Sequence, residues 1–167
     1  MKPKDDVPVE YLRELFEYDP ESGLLTHKGR LNVRKTKFDG RIRSGMVAGY
    51  VTSIGYLVVK IHSRAYCTHR VIWAMVTGSW PKYQIDHVNL IKTDNRWINL
   101  REATISQNKA NIRSQRVGLK GAYKGSKNRW RSSVGGIHLG YFKTEKEAHL
   151  AYAEAAKRLY GEFARAC

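Results

Sequence analysis

The stretch from Gln84 to Asn108 constrains this chain most. Gln84-Ile85-Asp86-His87-Val88-Asn89 reads as a short strand, and Thr93-Asp94-Asn95-Arg96-Trp97-Ile98-Asn99-Leu100-Arg101 as a polar loop entering a second strand. Ala103-Thr104-Ile105-Ser106-Gln107-Asn108 then opens a helix, because Thr104 and Gln107 stand at capping-box spacing. A strand–loop–strand–helix unit of this kind folds its helix back over the strands. That would bring Asn108 toward the Asp86-His87 end. Neighbours on a strand point to opposite faces, so Asp86 and His87 serve one site only where the strand twists or ends. A carboxylate and an amide carbonyl are hard ligands for a magnesium-type ion, and a neutral histidine takes a proton from water near pH 7. Asp, Asn and a basic His are a minimum set for one-metal hydrolysis of a phosphodiester. The same residues also fit a plainer arrangement, with Asp-His in a turn and the asparagines capping local backbone.

Charge decides what kind of partner to consider. The 167 residues carry 30 Lys plus Arg against 15 Asp plus Glu, a formal net charge of +15, which points to a polyanion. Residues 1–27 are net −4, residues 28–70 net +9 and residues 118–167 net +6, with three basic and no acidic residues in 109–117. Both halves are therefore expected to touch one long polyanion. No apolar run approaches the roughly 18 residues of a membrane span, and Met1-Lys2-Pro3-Lys4-Asp5-Asp6 has no apolar stretch behind it. A membrane partner is not expected. Cys67 and Cys167 form neither a disulfide framework nor a CxxC zinc site; they read as thiols in a reducing cytoplasm.

The remaining pattern is α+β. Val7–Phe16 reads as a short helix, 18–23 as a turn and 24–27 as a strand, while 28–43 has little periodicity. Residues 48–51, 56–61 and 64–68 alternate as strands, and 69–78 has helical spacing stopped by Gly78. Beyond Val117 the composition changes. Residues 121–124, 129–134 and 137–142 read as three strands, with Gly135-Gly136 as a hairpin turn. A helix follows from the Thr144–Glu147 capping box to about Tyr160, with Ala148, Ala151, Tyr152, Ala155 and Leu159 as its stripe. This predicts two domains, 1–112 and 118–167, joined by a basic linker, 113–117.

His69-Arg70, Ile85-Asp86-His87, Asp94-Asn95-Arg96, Asn99-Leu100-Arg101 and Asn108 together resemble the HNH endonucleases of bacteriophages and mobile introns, including the homing subgroup. The resemblance extends back through the strands before His69 to the turn at Tyr18–Gly23. It implies a ββα-metal site and site-selective DNA cleavage, by nicking or in homing. Asp86 would be a metal ligand, His87 the general base and Asn99 the residue that orients the histidine and braces the loop. Asn108 would be the second ligand, with Asn111 and Asn95 as competitors. The metal would be Mg²⁺, with Mn²⁺ as the alternative, and no structural zinc is expected. His69 is given a supporting or packing role.

Independently, Gly121-Ala122-Tyr123, Arg129-Trp130-Arg131, Leu139-Gly140-Tyr141-Phe142, Thr144, Glu147-Ala148, Ala151-Tyr152 and Ala155-Ala156 resemble the AP2 DNA-binding domain, whose three-stranded sheet enters the major groove. Carried over, Tyr123, Lys124, Arg129, Trp130 and Arg131 are DNA-contact candidates, with Arg113 and Arg116 in the linker. Strand alternation separates Trp130 from Arg129 and Arg131, which favours the arginines as contacts and Trp130 as core. The partner implied is double-stranded DNA, bound by a monomer in preference to a dimer, in the cytoplasm of a host cell if the gene is a phage's. Two other readings stand beside this one: a DNA-binding regulator with an inactive HNH portion, and a nuclease acting on RNA or structured nucleic acid.

Overall fold

The computed structural model describes residues 6–29, 44–112, 118–125 and 128–165. Two compact units divide the chain, 1–102 and 103–167. Residues 30–43 of the expected basic loop 28–43, the linker with Arg113 and Arg116, and Cys167 lie outside the described residues.

In the first unit, helix α1 (Val9–Leu15) follows Pro8, and Phe16 leaves the helix to begin β1 (Phe16–Tyr18). The sequence pattern extends the helix through Phe16. Its apolar side chain is equally buried as the first residue of a strand, and β1 pairs antiparallel with β2 (Leu25–His27), Phe16 opposite His27. A three-stranded sheet follows in the order β3 (Tyr50–Val51), β4 (Leu57–Ile61), β5 (Arg64–Cys67). Helix α2 (Thr68–Thr77) starts directly after β5 and ends at Gly78. The Arg13 guanidinium donates through Nε and Nη2 to the Met75 carbonyl (2.9 and 2.6 Å), so α1 satisfies an orphan carbonyl near the end of α2. Leu12, Phe16, Leu25, Val59, Val71 and Ile72 are the centre of the core. Burying each large side chain is worth about 1.5–3 kcal/mol.

Ile85 and Leu100 carry the next two strands into that core: β6 (Gln84–His87) and β7 (Leu100–Ala103) pair with each other. Between them the chain makes a long polar loop closed by a 3₁₀ turn at Trp97–Asn99.

The second unit opens with α3 (Ile105–Asn111), whose N-terminus carries the expected capping box: Gln107 N donates to Thr104 Oγ1 and Thr104 N to Gln107 Oε1. The sequence pattern assigns α3 to a domain spanning 1–112; in the structure it falls within the unit 103–167, where Arg165 N and Lys120 Nζ donate to the Ala110 carbonyl (3.3 and 2.6 Å). Strands β8 (Ala122–Lys124), β9 (Trp130–Val134) and β10 (Ile137–Phe142) form an antiparallel sheet with β9 central, and α4 (Glu145–Tyr160) packs on it. The buried side chains of α4 are Ala148, Tyr152 and Ala156, while Leu159 is 49% exposed. Ala151 and Ala155 of the expected stripe are half-buried, Ala155 against the core of this unit. Gly121 sits under the Tyr152 ring with φ +78°; a Cβ there would overlap that side chain. Among the described residues no helix is long and apolar enough to cross a membrane.

Candidate nuclease site

β6 ends at His87, and both Asp86 and His87 are buried, 4% and 5% exposed. The strand end is the condition under which neighbouring side chains can serve one site. From there the loop turns back on itself. Leu90 adopts φ +66°, and Leu90 N donates to the His87 carbonyl (2.9 Å). Asn99 pins the loop at its far end. Its Oδ1 accepts from Asn89 N (2.9 Å), its Nδ2 donates to the Asp94 carbonyl (2.7 Å), and its own carbonyl accepts from Val88 N (2.9 Å). Asp94 adds a second clasp, accepting from Asn89 Nδ2 and from Arg96 Nε and Nη2. The Arg96 hydrogen bonds, foremost among several donors, hold the Asp94 carboxyl well below the usual carboxylate range.

Asn95 makes a hydrogen bond with His87. His87 Nε2 lies 3.1 Å from Asn95 Oδ1, and Asn95 is 1% exposed. With Nε2–H donating to that amide oxygen, Nδ1 is the basic nitrogen of the ring. Burial pushes His87 below the ordinary histidine range; the Asn95 bond and the charges of Asp86 and Asp94 offset this only in part. His87 is therefore neutral near pH 7, the form a base needs.

Two further rings wall this histidine. His69, in the first turn of α2, meets His87 nearly perpendicular with ring centres 5.1 Å apart, and Tyr56 lies 5.4 Å from His69 and 6.2 Å from His87. Burial, with the nearby His87 and Arg70, pushes His69 down to about 3. Its Nδ1 has no hydrogen-bond partner among the described residues. His69 is thus a neutral buried ring in contact with the site. Lys92 Nζ sits 4.7 Å above the Tyr56 ring and donates to the Ile54 carbonyl (2.9 Å), tying the loop to the β3–β4 turn.

The loop is also held from behind by the N-terminal turn. Tyr18 Oη donates to the Asn95 carbonyl (2.8 Å), and Trp97 N donates to the Pro20 carbonyl (3.1 Å). Gly23, at φ +75°, lies so close that a Cβ would overlap the Arg96 backbone nitrogen. Burial, with the charges of Asp19 and Asp94, pushes Tyr18 up to about 12, so its hydroxyl remains a donor at any working pH.

Asp86 has a partner of opposite charge. Arg101, on the paired strand β7, places both Nε and Nη2 at 2.9 Å from Asp86 Oδ2. The carboxylate thus already faces a cation of the chain itself. No group of three or more His, Cys, Asp or Glu side chains suited to a metal ion occurs among the described residues. A magnesium-type ion does not require one, since it binds through one or two carboxylates plus waters and substrate phosphate. The donor chemistry, one carboxylate with amide carbonyls nearby in sequence, fits such an ion. Of the candidate amides, Asn95 is engaged with His87, and Asn111 Oδ1 accepts from Arg165 Nε (3.2 Å). Asn108 lies half-buried in the middle of α3, in the second unit.

In the second unit the three strands line up Tyr123, Arg131 and Tyr141 as direct cross-strand partners. Arg131 and Tyr141 are exposed, and the Arg131 guanidinium lies 5.7 Å from the Tyr123 ring centre. Trp130 shares the opposite face with Ser132 and Val134, which are buried; Lys124 pairs with Trp130 yet is exposed, as is Arg129.

The sequence pattern singles out Asp86, His87 and Asn99 and gives no sign of the partners of the first two. In it Asn95 reads only as a competing metal ligand, Arg101 only as part of a motif, and Tyr56 carries no local signal.

Residues 66–110 match the HNH endonuclease family. The chain is 36% identical over 102 residues, 58% of its length, to an uncharacterised HNH endonuclease of Acanthamoeba polyphaga mimivirus. It spans about half of that relative, 54% of its length. No solved structure matches the chain significantly. The family match and the relative together support an HNH-type nuclease domain around the β6–β7 loop.

Proposed function

We propose that this chain is a divalent-metal-dependent, site-selective DNA endonuclease. The observation that carries the reading is His87: a buried, neutral histidine at a strand end, fixed by Asn95 and placed beside Asp86 within the HNH-matching segment. His87 Nδ1 accepts the proton of the attacking water, and the Asn95 bond holds the ring while it does so. Asn99 keeps the loop closed, and His69 and Tyr56 exclude water from the flanks of the ring. Asp86 and Asn108 are the protein ligands of a Mg²⁺ ion, as the family resemblance implies, with Mn²⁺ as a substitute. When bound, the ion supplies positive charge against the phosphate and the leaving 3′ oxygen. The products carry 5′-phosphate and 3′-hydroxyl ends, and a monomer with one site nicks one strand.

The domain division proposed is 1–112 for the nuclease and 118–167 for an AP2-like reader of duplex DNA, with Arg113 and Arg116 in the segment between. The cross-strand row of Tyr123, Arg131 and Tyr141, with Arg129 exposed nearby and basic, supports that second reading. Incubation of the protein with supercoiled plasmid in Mg²⁺, Mn²⁺ or EDTA tests the whole. Open-circular product with either ion and none in EDTA is expected. Supercoiled DNA left intact with both ions at stoichiometric protein refutes the activity.

A further inference from the structure

The ion pair between Asp86 and Arg101 is buried at the site itself. Nε and Nη2 of Arg101 both lie 2.9 Å from Asp86 Oδ2, and the Arg101 and Asp86 side chains are only 13% and 3% exposed. A buried carboxylate with no counter-charge is strongly destabilising. A protein that must fold before it meets its metal therefore needs a cation of its own at that carboxylate.

We propose that Arg101 is that resident cation: it neutralises Asp86 in the metal-free protein and competes with the divalent ion for the carboxylate. The inference rests on the reading of Asp86 as a metal ligand. A divalent ion and a guanidinium that share one poorly solvated carboxylate repel each other, since screening there is weak. Arg101 therefore sets the metal concentration at which the site fills. It does so from β7, the strand hydrogen-bonded to the one that carries Asp86.

The test is calorimetric titration of the full-length chain with Mn²⁺ alone, paired with thermal unfolding in EDTA and in Mn²⁺. The variants are Arg101→Gln, Arg101→Lys and Asp86→Asn. Arg101→Gln is expected to bind Mn²⁺ roughly tenfold tighter, the size of one charge-assisted hydrogen bond no longer in competition. It is also expected to melt lower than wild type in EDTA and to gain more from Mn²⁺ than wild type does. Arg101→Lys, which keeps the charge without the converging pair of N–H groups, falls between and carries the test if Arg101→Gln does not fold in EDTA. Equal or weaker Mn²⁺ binding by both Arg101 variants, with binding abolished in Asp86→Asn, overturns the inference while leaving Asp86 a ligand. Wild-type binding by Asp86→Asn overturns the ligand reading itself.

Discussion

Replacing Asn99 by alanine should open the β6–β7 loop, and the size of the effect follows from its hydrogen bonds. The side chain is 5% exposed and makes two of them, from Asn89 N at 2.9 Å and to the Asp94 carbonyl at 2.7 Å. Each is worth about 1 kcal/mol net, and leaving a buried partner unpaired adds up to about 1–3 kcal/mol. Both partners are partly buried, so water relieves some of that penalty. The expected loss is about 2–4 kcal/mol, a large share of the roughly 5–15 kcal/mol that stabilises an ordinary domain. Urea denaturation of wild type and variant measures it. Hydrogen exchange locates it: the Asn89 amide should lose protection in Asn99→Ala, whereas Val88, whose N–H donates to the Asn99 backbone carbonyl, should keep more of its own. Asn99→Asp separates the two bonds, because it retains the acceptor for Asn89 and loses the donor to Asp94. It should destabilise the protein yet leave the Asn89 amide protected. A loss under about 0.5 kcal/mol in Asn99→Ala, or unchanged exchange at Asn89, refutes the idea that this side chain holds the loop.

Further expectations concern protons, turnover and DNA. His69 is held near 3 against an ordinary 6.5, so its contribution is fully present above pH 6.5 and is lost as the pH falls from there toward 3. Stability should fall by about 1.4 kcal/mol per pH unit for that proton below about pH 5.5; His69→Phe should remove one proton's slope from urea midpoints measured across pH 7.5 to 4.5, and an identical slope refutes this. His87→Ala should lose about 10²–10⁴-fold in single-turnover nicking while still binding DNA; cleavage at the wild-type rate ends its assignment as base. Arg129→Ala and Arg131→Ala should each weaken duplex binding and flatten the plot of log affinity against log salt by about 0.9, whereas Trp130→Phe should change stability and leave that slope alone. Unchanged slopes for both arginine variants remove the sheet as a DNA contact.

What could be read from the sequence was whatever short-range chemistry dictates. Thr104 with Gln107, the alternation through Leu57, Val59 and Ile61, and the Gly135-Gly136 turn all act within a few residues, and the elements they announce are present. Asp86 and His87 stand out because a carboxylate beside a neutral base belongs to the minimum set for one-metal hydrolysis. The partners stayed hidden because long-range contacts create them. Asn95 meets His87 only after the loop reverses at Leu90 and Tyr18 fixes the Asn95 carbonyl. Arg101 meets Asp86 only through strand pairing. In the same way α3 groups with the second unit through Lys120 and Arg165, which no pattern around residue 105 could announce. A truncation after residue 112 therefore strips α3 of the Lys120 and Arg165 N–H groups that donate to its Ala110 carbonyl and Asn111 side chain, so point variants are the cleaner probe of the C-terminal sheet.

The turn at Tyr18–Gly23 limits how far the HNH-matching segment can travel. Residues 66–110 hold every side chain in the family match, yet one wall of their loop is supplied by Tyr18, Pro20 and Gly23 from far upstream. Grafted alone into another scaffold, that cassette would leave the Asn95 carbonyl and the Trp97 amide without their donor and acceptor, and nothing would back the histidine's support. A portable version has to include the turn at Tyr18–Gly23. Any exchange of such units between proteins that preserves activity must carry the N-terminal turn with it, or evolve a second buttress in its place.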